Sequence, residues 1–189
     1  GANGAAGGAN ITLKSSGGLI TFTYDHRTHL ITDDTPKALI ADSSAQWLRR
    51  GIIGLQIPAA DADHTYRLYW STDATLARDG NTITGGDSVP LTVRSGGLPN
   101  ALQAKFPQLA EYEALTVPAS ARRQLATLLT AQLAVASFAA DGSLTQVTGV
   151  QLPGVLDDVY ASAQRRTLGP VWRGGRPSVR VWAPTAQNV

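Results

Sequence analysis

Three histidines and fourteen carboxylates are the chain's supply of acid–base and metal-ligating groups, and their spacing decides what they can do. Asp25-His26 with His29 would begin a metal cluster. A tight turn, however, points its side chains in different directions, and a third strong ligand is missing, so these residues are read as hairpin surface. Asp61, Asp63 and His64 follow Pro58. A calcium loop needs more oxygen ligands at regular intervals, and the segment is read as a polar loop. Paired carboxylates cleave a glycosidic bond when they face each other across a cleft, about 5–10 Å apart. Asp33-Asp34 flank a boundary, and Asp157-Asp158 are expected at a helix start, where they would complement the N-terminal dipole. Neither pair is read as catalytic. Ser15-Ser-Gly-Gly and Ser95-Gly-Gly are not nucleophile elbows, since Gly-x-Ser-x-Gly does not occur. Gly1–Gly8 lacks the Lys-Ser/Thr that completes a phosphate loop.

The aromatic residues leave two readings open. Tyr66 and Trp70 share one face of a strand, Tyr69 takes the other, and Trp47 lies on a second strand. An exposed aromatic face stacks on a sugar ring, which makes Trp47, Tyr69 and Trp70 candidate glycan contacts. Alternatively they fill the core, as large aromatic residues commonly do.

Frequent turn signals separate runs that alternate with period 2, the pattern of β structure. Leu19–Asp25 and Thr28–Thr32 predict a hairpin, and Asp33-Asp-Thr-Pro36 reads as a boundary. Further strands are expected at Ala45–Leu48, Gly51–Leu55, Thr65–Ser71, Asn81–Thr84, Ser88–Val93, Glu113–Val117, Gln132–Phe138 and Thr145–Leu152. Asp79-Gly-Asn81 and Asp141-Gly142 are turns. Two short helices are expected: Ser120–Thr130 with Ser120 as N-cap, and Val155–Arg166 closed by Arg165-Arg166. The fold class is therefore mainly β with two short helices, arranged as antiparallel β-sandwich-like modules. Ser178–Trp182 is an alternating strand after a Gly/Pro-rich stretch. A lone strand cannot bury a face, so the partners of Val179 and Val181 are expected beyond Val189, with the last dozen residues disordered or paired with a companion chain.

Composition excludes several functions. Charged residues make up 16% of the chain, below the usual share of about 25%. The net charge is +2, the arginine pairs Arg49-Arg50, Arg122-Arg123 and Arg165-Arg166 are spread out, and no basic stripe for nucleic acid is expected. Without cysteine there is no disulfide scaffold and no thiolate zinc site. No run approaches the ~18 apolar residues of a transmembrane helix. Methionine is absent, and the first residues have neither the basic nor the apolar region of a signal peptide. A fragment or processed product is the expected origin.

From Leu133 onward three ordered runs stand out: Gln132–Gly142, Val147-Thr-Gly-Val-Gln-Leu-Pro-Gly-Val-Leu-Asp-Asp-Val-Tyr160, and Val179-Arg-Val-Trp-Ala-Pro-Thr-Ala-Gln187. With Tyr66-Arg-Leu-Tyr-Trp-Ser71 and Phe106-Pro-Gln-Leu-Ala-Glu-Tyr112 upstream, the chain resembles the amino-terminal region of bacterial type I pullulanases and limit dextrinases. These are debranching enzymes of glycoside hydrolase family 13.

The resemblance implies a domain plan. Residues 1–33 resemble the closing hairpin of a preceding β module, 37–166 the N-terminal β domain, and 167–178 a linker. Residues 179–189 resemble the first strand of an immunoglobulin-like family 48 carbohydrate-binding module, which would be incomplete here. The implied function is the non-catalytic N-terminal portion of a secreted bacterial enzyme that hydrolyses α-1,6-glucosidic linkages in starch or pullulan. That portion would brace the catalytic barrel and contact glucan through Trp47, Tyr69 or Trp70. The alternative is a stand-alone α-glucan-binding module. The family's catalytic acids lie downstream, so no catalytic residue is assigned and the chain alone is expected to be inactive. No cofactor or metal is expected in it; calcium would belong to the parent enzyme. The expected partners are the rest of the parent polypeptide and α-glucan, with neither nucleic acid nor membrane.

Overall fold

The structure is a computed structural model that describes residues 42–187. The expected hairpin at residues 19–32, the boundary at Asp33–Pro36, and His26 and His29 lie outside the described residues.

The strands are β1 (Ala45–Arg49), β2 (Ile52–Leu55), β3 (Thr65–Ser71), β4 (Ala77–Asp79), β5 (Thr82–Thr84), β6 (Asp87–Arg94), β7 (Glu113–Thr116), β8 (Gln132–Phe138), β9 (Leu144–Gln151), β10 (Gly169–Arg173) and β11 (Arg176–Arg180). Four short α-helices join them: α1 (Asn100–Lys105), α2 (Ala119–Arg123), α3 (Leu125–Leu128) and α4 (Pro153–Val159). Seven strands close into a barrel in the order β1-β2-β7-β6-β3-β8-β9.

The expected antiparallel sandwich gives way to this barrel for a geometric reason. A ring of strands that alternate in direction needs an even number of members, and seven is odd, so one seam must be parallel. That seam is β1 against β9, registered at Ala45↔Val150 and Gln46↔Gln151. The other barrel pairs are antiparallel.

The barrel has a core on its inner face and is covered in places on its outer face. Inside, Tyr66, Leu68 and Trp70 of β3 meet Leu133 and Val135 of β8, joined by Trp47, Ile53, Leu91 and Leu115 from other strands. Leu125, Leu128 and Leu129 from the α3 segment and Val155 from α4 add to the same core. Outside, Tyr69, Ala134 and Ala136 pack against Leu76 and Ile83 of the β4–β5 hairpin. The α1 segment covers a second outer region, with Leu98, Leu102 and Leu109 against Leu48 and Ala114. Period-2 strands thus become buried on both faces.

Four helices replace the two expected. The span Ser120–Thr130 splits at Gln124, whose φ of −102° and ψ of 18° leave helical geometry. Pro118, not Ser120, precedes the first helical residue, and no side chain caps it. The apolar positions Ala121, Leu125, Leu128 and Leu129 keep helical spacing across the break, which is why one longer helix is expected from the sequence. The α4 helix starts earlier than expected because Pro153 occupies its first turn, where a missing N–H costs nothing. Asp157 and Asp158 therefore fall in its last turn, and the Ala161–Arg165 stretch is a separate 3-10 turn.

The Gly/Pro-rich stretch expected as a linker contains a strand. β10 pairs with β11 from Gly169↔Arg180 to Arg173↔Arg176, so β11 finds one neighbour upstream. Gly174 and Gly175 both have positive φ, 54° and 77°, as a two-residue hairpin turn of the primed type demands.

Candidate functional site

The aromatic candidates come first. Trp47 is fully buried, and Tyr69 and Trp70 are each 8% exposed. Tyr66 and Trp70 do share a face opposite Tyr69, but the barrel core covers the first face and the β4–β5 hairpin covers the second. Such rings have no free face for a sugar to stack on, so it is the core reading that matches their burial. The Trp47 indole N–H is enclosed without a hydrogen-bond partner.

One serine, one histidine and one aspartate do come together. His64 Nδ1 lies 2.9 Å from Ser137 Oγ, and His64 Nε2 lies 3.8 Å from Asp61 Oδ1. The Tyr66 hydroxyl donates to the Asp61 carbonyl oxygen at 3.4 Å. Burial pushes the Tyr66 phenol above its usual pKa, opposed by a hydrogen bond with Ser137. Nucleophilic catalysis needs an accessible hydroxyl and a base held by a firm third partner. Ser137 is a buried barrel residue on β8, and the third contact is longer than a hydrogen bond. Its carbonyl also accepts from the Thr145 hydroxyl at 3.0 Å. The cluster is a polar clasp that ties the Asp61–His64 loop to β8. Ser137 is the member that sequence spacing did not reveal, because the contact spans 73 residues.

Asp157 and Asp158 are structural rather than catalytic. Asp157 Oδ2 accepts from Lys105 Nζ at 3.2 Å, fastening α4 to α1. Asp158 Oδ2 accepts the Arg50 backbone N–H at 2.9 Å, with Arg50 Nε at 3.7 Å, fastening α4 to the β1–β2 turn. Carboxylates near a helix C-terminus oppose its dipole, and these cationic partners offset the conflict. Among the described residues, no three His, Cys, Asp or Glu side chains are grouped to hold a metal. Nor is any described helix long and apolar enough to cross a membrane.

Concave, accessible surface lies elsewhere. A groove of about 260 Å³ is lined by Leu156, Asp157, Tyr160, Arg166, Leu168 and Trp182. The Tyr160 and Trp182 rings meet edge to face, with centroids 5.5 Å apart and planes at 88°. Trp172 on β10 is 69% exposed. Two Gly residues flanked by short alternating runs are a hairpin signal, and that signal points to these exposed aromatic residues.

Comparison with known proteins accounts for this barrel. The sequence profile of the Pullulanase N2 domain matches residues 42–158. Pullulanase 1, chloroplastic, of Arabidopsis thaliana is 34% identical over 148 residues, covering 78% of this chain and 15% of its own length. Klebsiella pneumoniae pullulanase is 32% identical over 151 residues, covering 79% of this chain and 13% of its own length. In the solved structures, Klebsiella pneumoniae pullulanase complexed with maltotriose aligns with a TM-score of 0.68 at 30% identity, over 78% of this chain and 14% of that one. PulA from Klebsiella oxytoca aligns with the same TM-score at 31% identity. The chain thus spans about one-seventh of the length of these relatives. Its matched residues are the closed barrel and its attached helix α4, and the chain belongs to the Pullulanase N2 domain family.

Proposed function

We propose that this chain is the non-catalytic amino-terminal part of a debranching enzyme that hydrolyses α-1,6-glucosidic linkages in starch or pullulan, and that its barrel braces the catalytic domain. The observation that carries this reading is the family match over residues 42–158, which coincides with a barrel whose polar clusters are consumed by structural bonds. In this reading residues 179–189 open a family 48 carbohydrate-binding module, and the active-site acids and any calcium belong to the parent enzyme downstream. Secretion from a bacterium is part of the same reading. The named relatives include a chloroplast protein as well as a bacterial one, so the presence of an export signal in the complete reading frame decides that point.

A second reading, a stand-alone α-glucan-binding module, has one observation in its favour: Trp172 and Trp182 are exposed. Affinity electrophoresis of the purified chain in gels containing pullulan, amylopectin or β-cyclodextrin separates the two. The bracing role predicts unchanged mobility in all three gels. Retardation by any of them would support the binding module and count against a purely bracing role.

A further inference from the structure

The β10–β11 hairpin is a separate two-stranded sheet with no ladder to the barrel. An isolated pair of strands is marginally stable at best in water, so what attaches it matters. Its base is the Gly169↔Arg180 pair, and its tip is the Gly174-Gly175 turn. The chain therefore enters and leaves the hairpin side by side, at the base.

The outgoing chain returns to the barrel at two places. Trp182 meets the Tyr160 ring, at the C-terminal end of α4, edge to face at 5.5 Å. Further on, Gln187 Nε2 donates to the Thr72 carbonyl at 2.8 Å and to the Thr130 carbonyl at 3.1 Å. A primary amide has two N–H donors, and both partners only accept, so its nitrogen must face them. Between these anchors the Ala186 N–H donates to the Ala183 carbonyl at 3.2 Å and closes a turn. Pro184 takes the second position of that turn, where its fixed φ suits the geometry. Ala183 and Pro184 are half-buried.

The far anchor is itself held firmly. The β3–β8 ladder ends at Ser71↔Gln132, and the two accepting carbonyls lie just beyond it. The Thr75 N–H donates to Ser71 Oγ at 3.2 Å, and the Leu76 N–H donates to Gln132 Oε1 at 3.1 Å. These bonds brace the loop that carries Thr72, including Ala74, whose φ of 55° a non-glycine residue rarely adopts.

We infer that residues 182–187 are a strap that locks the hairpin to the barrel, with Gln187 as its latch. Closed, the strap makes hairpin and barrel one rigid body. Released, it leaves the hairpin free to swing on the incoming chain at Leu168. The acceptors are backbone carbonyls, so the latch depends on the Gln187 amide and not on the side chains of Thr72 and Thr130. Both bonds are exposed, so water competes for them and the latch can open without unfolding the barrel. The strap is a property of the 189-residue chain itself and stands apart from the proposed function.

Hydrogen–deuterium exchange with mass spectrometry on the 189-residue chain is the test. Gln187→Ala should raise exchange across Gly169–Arg180 about fivefold, the change that one net hydrogen bond makes in an opening equilibrium. Strands β3 and β8 should exchange as before. Gln187→Glu, of the same size but without a donor at neutral pH, should have the same effect. Gln146→Ala, at an exposed glutamine on β9, should change nothing. Unchanged hairpin exchange in either Gln187 variant overturns the latch. An equal rise in β3 and β8 also overturns it, because Gln187 would then stabilise the whole fold. So does a hairpin that already exchanges at the unprotected rate in the parent chain.

Discussion

The Thr148 hydroxyl on β9 accepts the Ser44 backbone N–H at 2.8 Å, joining residues 104 positions apart at the point where the barrel closes. Thr148 Oγ1 also lies 2.9 Å from Ser44 Oγ and donates to the Asp42 carboxylate. The Gly149 N–H donates to the Asp42 carbonyl at 2.9 Å, and the Gln151 amide reaches the Ser43 carbonyl at 2.6 Å. These bonds reinforce a parallel seam that has only two registered residue pairs.

Thr148→Val keeps the side-chain shape and removes the hydroxyl, leaving the partly buried Ser44 N–H without its acceptor. The expected loss of stability is about 1–3 kcal/mol, read from urea denaturation followed by circular dichroism. An unchanged midpoint would mean that the side-chain bonds do not contribute to closing the barrel.

Gly154 is where α4 comes closest to β1. A Cβ there would lie 2.8 Å from Leu48 Cα, 2.9 Å from the Leu48 carbonyl oxygen and 3.0 Å from that of Trp47. All three are backbone atoms, so the strain cannot be relieved by a side-chain rotation. Gly154→Ala should cost about 1–3 kcal/mol by overpacking, against the gain in helix propensity that the same change gives elsewhere. Equal or higher thermal stability in the variant would contradict the close approach.

Burial predicts opposite outcomes for two tryptophans. Trp47→Ala empties a site in the barrel core and should destabilise by about 3–5 kcal/mol. Trp172→Ala removes a mostly exposed side chain and should change the stability of this chain by no more than about 0.5 kcal/mol. Denaturant midpoints for the two variants supply the comparison, and similar losses in both would contradict the assigned burial.

Alkaline pH should weaken the fold through Tyr66. Burial raises its folded-state pKa, so the unfolded chain gives up the phenolic proton first. The contribution is fully present below the unfolded value of about 10 and is lost as pH rises through the folded value. Urea midpoints measured from neutral pH to about pH 11 should fall less steeply in Tyr66→Phe than in the parent chain. Parallel curves would remove Tyr66 from the account.

Local alternation made individual strands readable, and β3 and β8 occur at their expected limits, Thr65–Ser71 and Gln132–Phe138. What alternation cannot convey is which strands become neighbours. Closure, the parallel seam and the covering of Tyr69 by the β4–β5 hairpin all depend on strand order. Period also does not distinguish an aromatic face open to sugar from one facing a core, and the burial of Trp47 and Trp70 is a tertiary fact. Asp157-Asp158 suggested a helix start by charge alone, whereas Pro153 sets the true one. The exposed Trp172 was missed because Gly174-Gly175 suits a flexible linker as readily as a tight turn.

We propose that this barrel belongs to a debranching enzyme without supplying its chemistry. Purified chain incubated with pullulan, with reducing ends measured against a heat-denatured control, tests that claim most directly. The account predicts no release above the control, and sustained release that follows the amount of folded chain would contradict it.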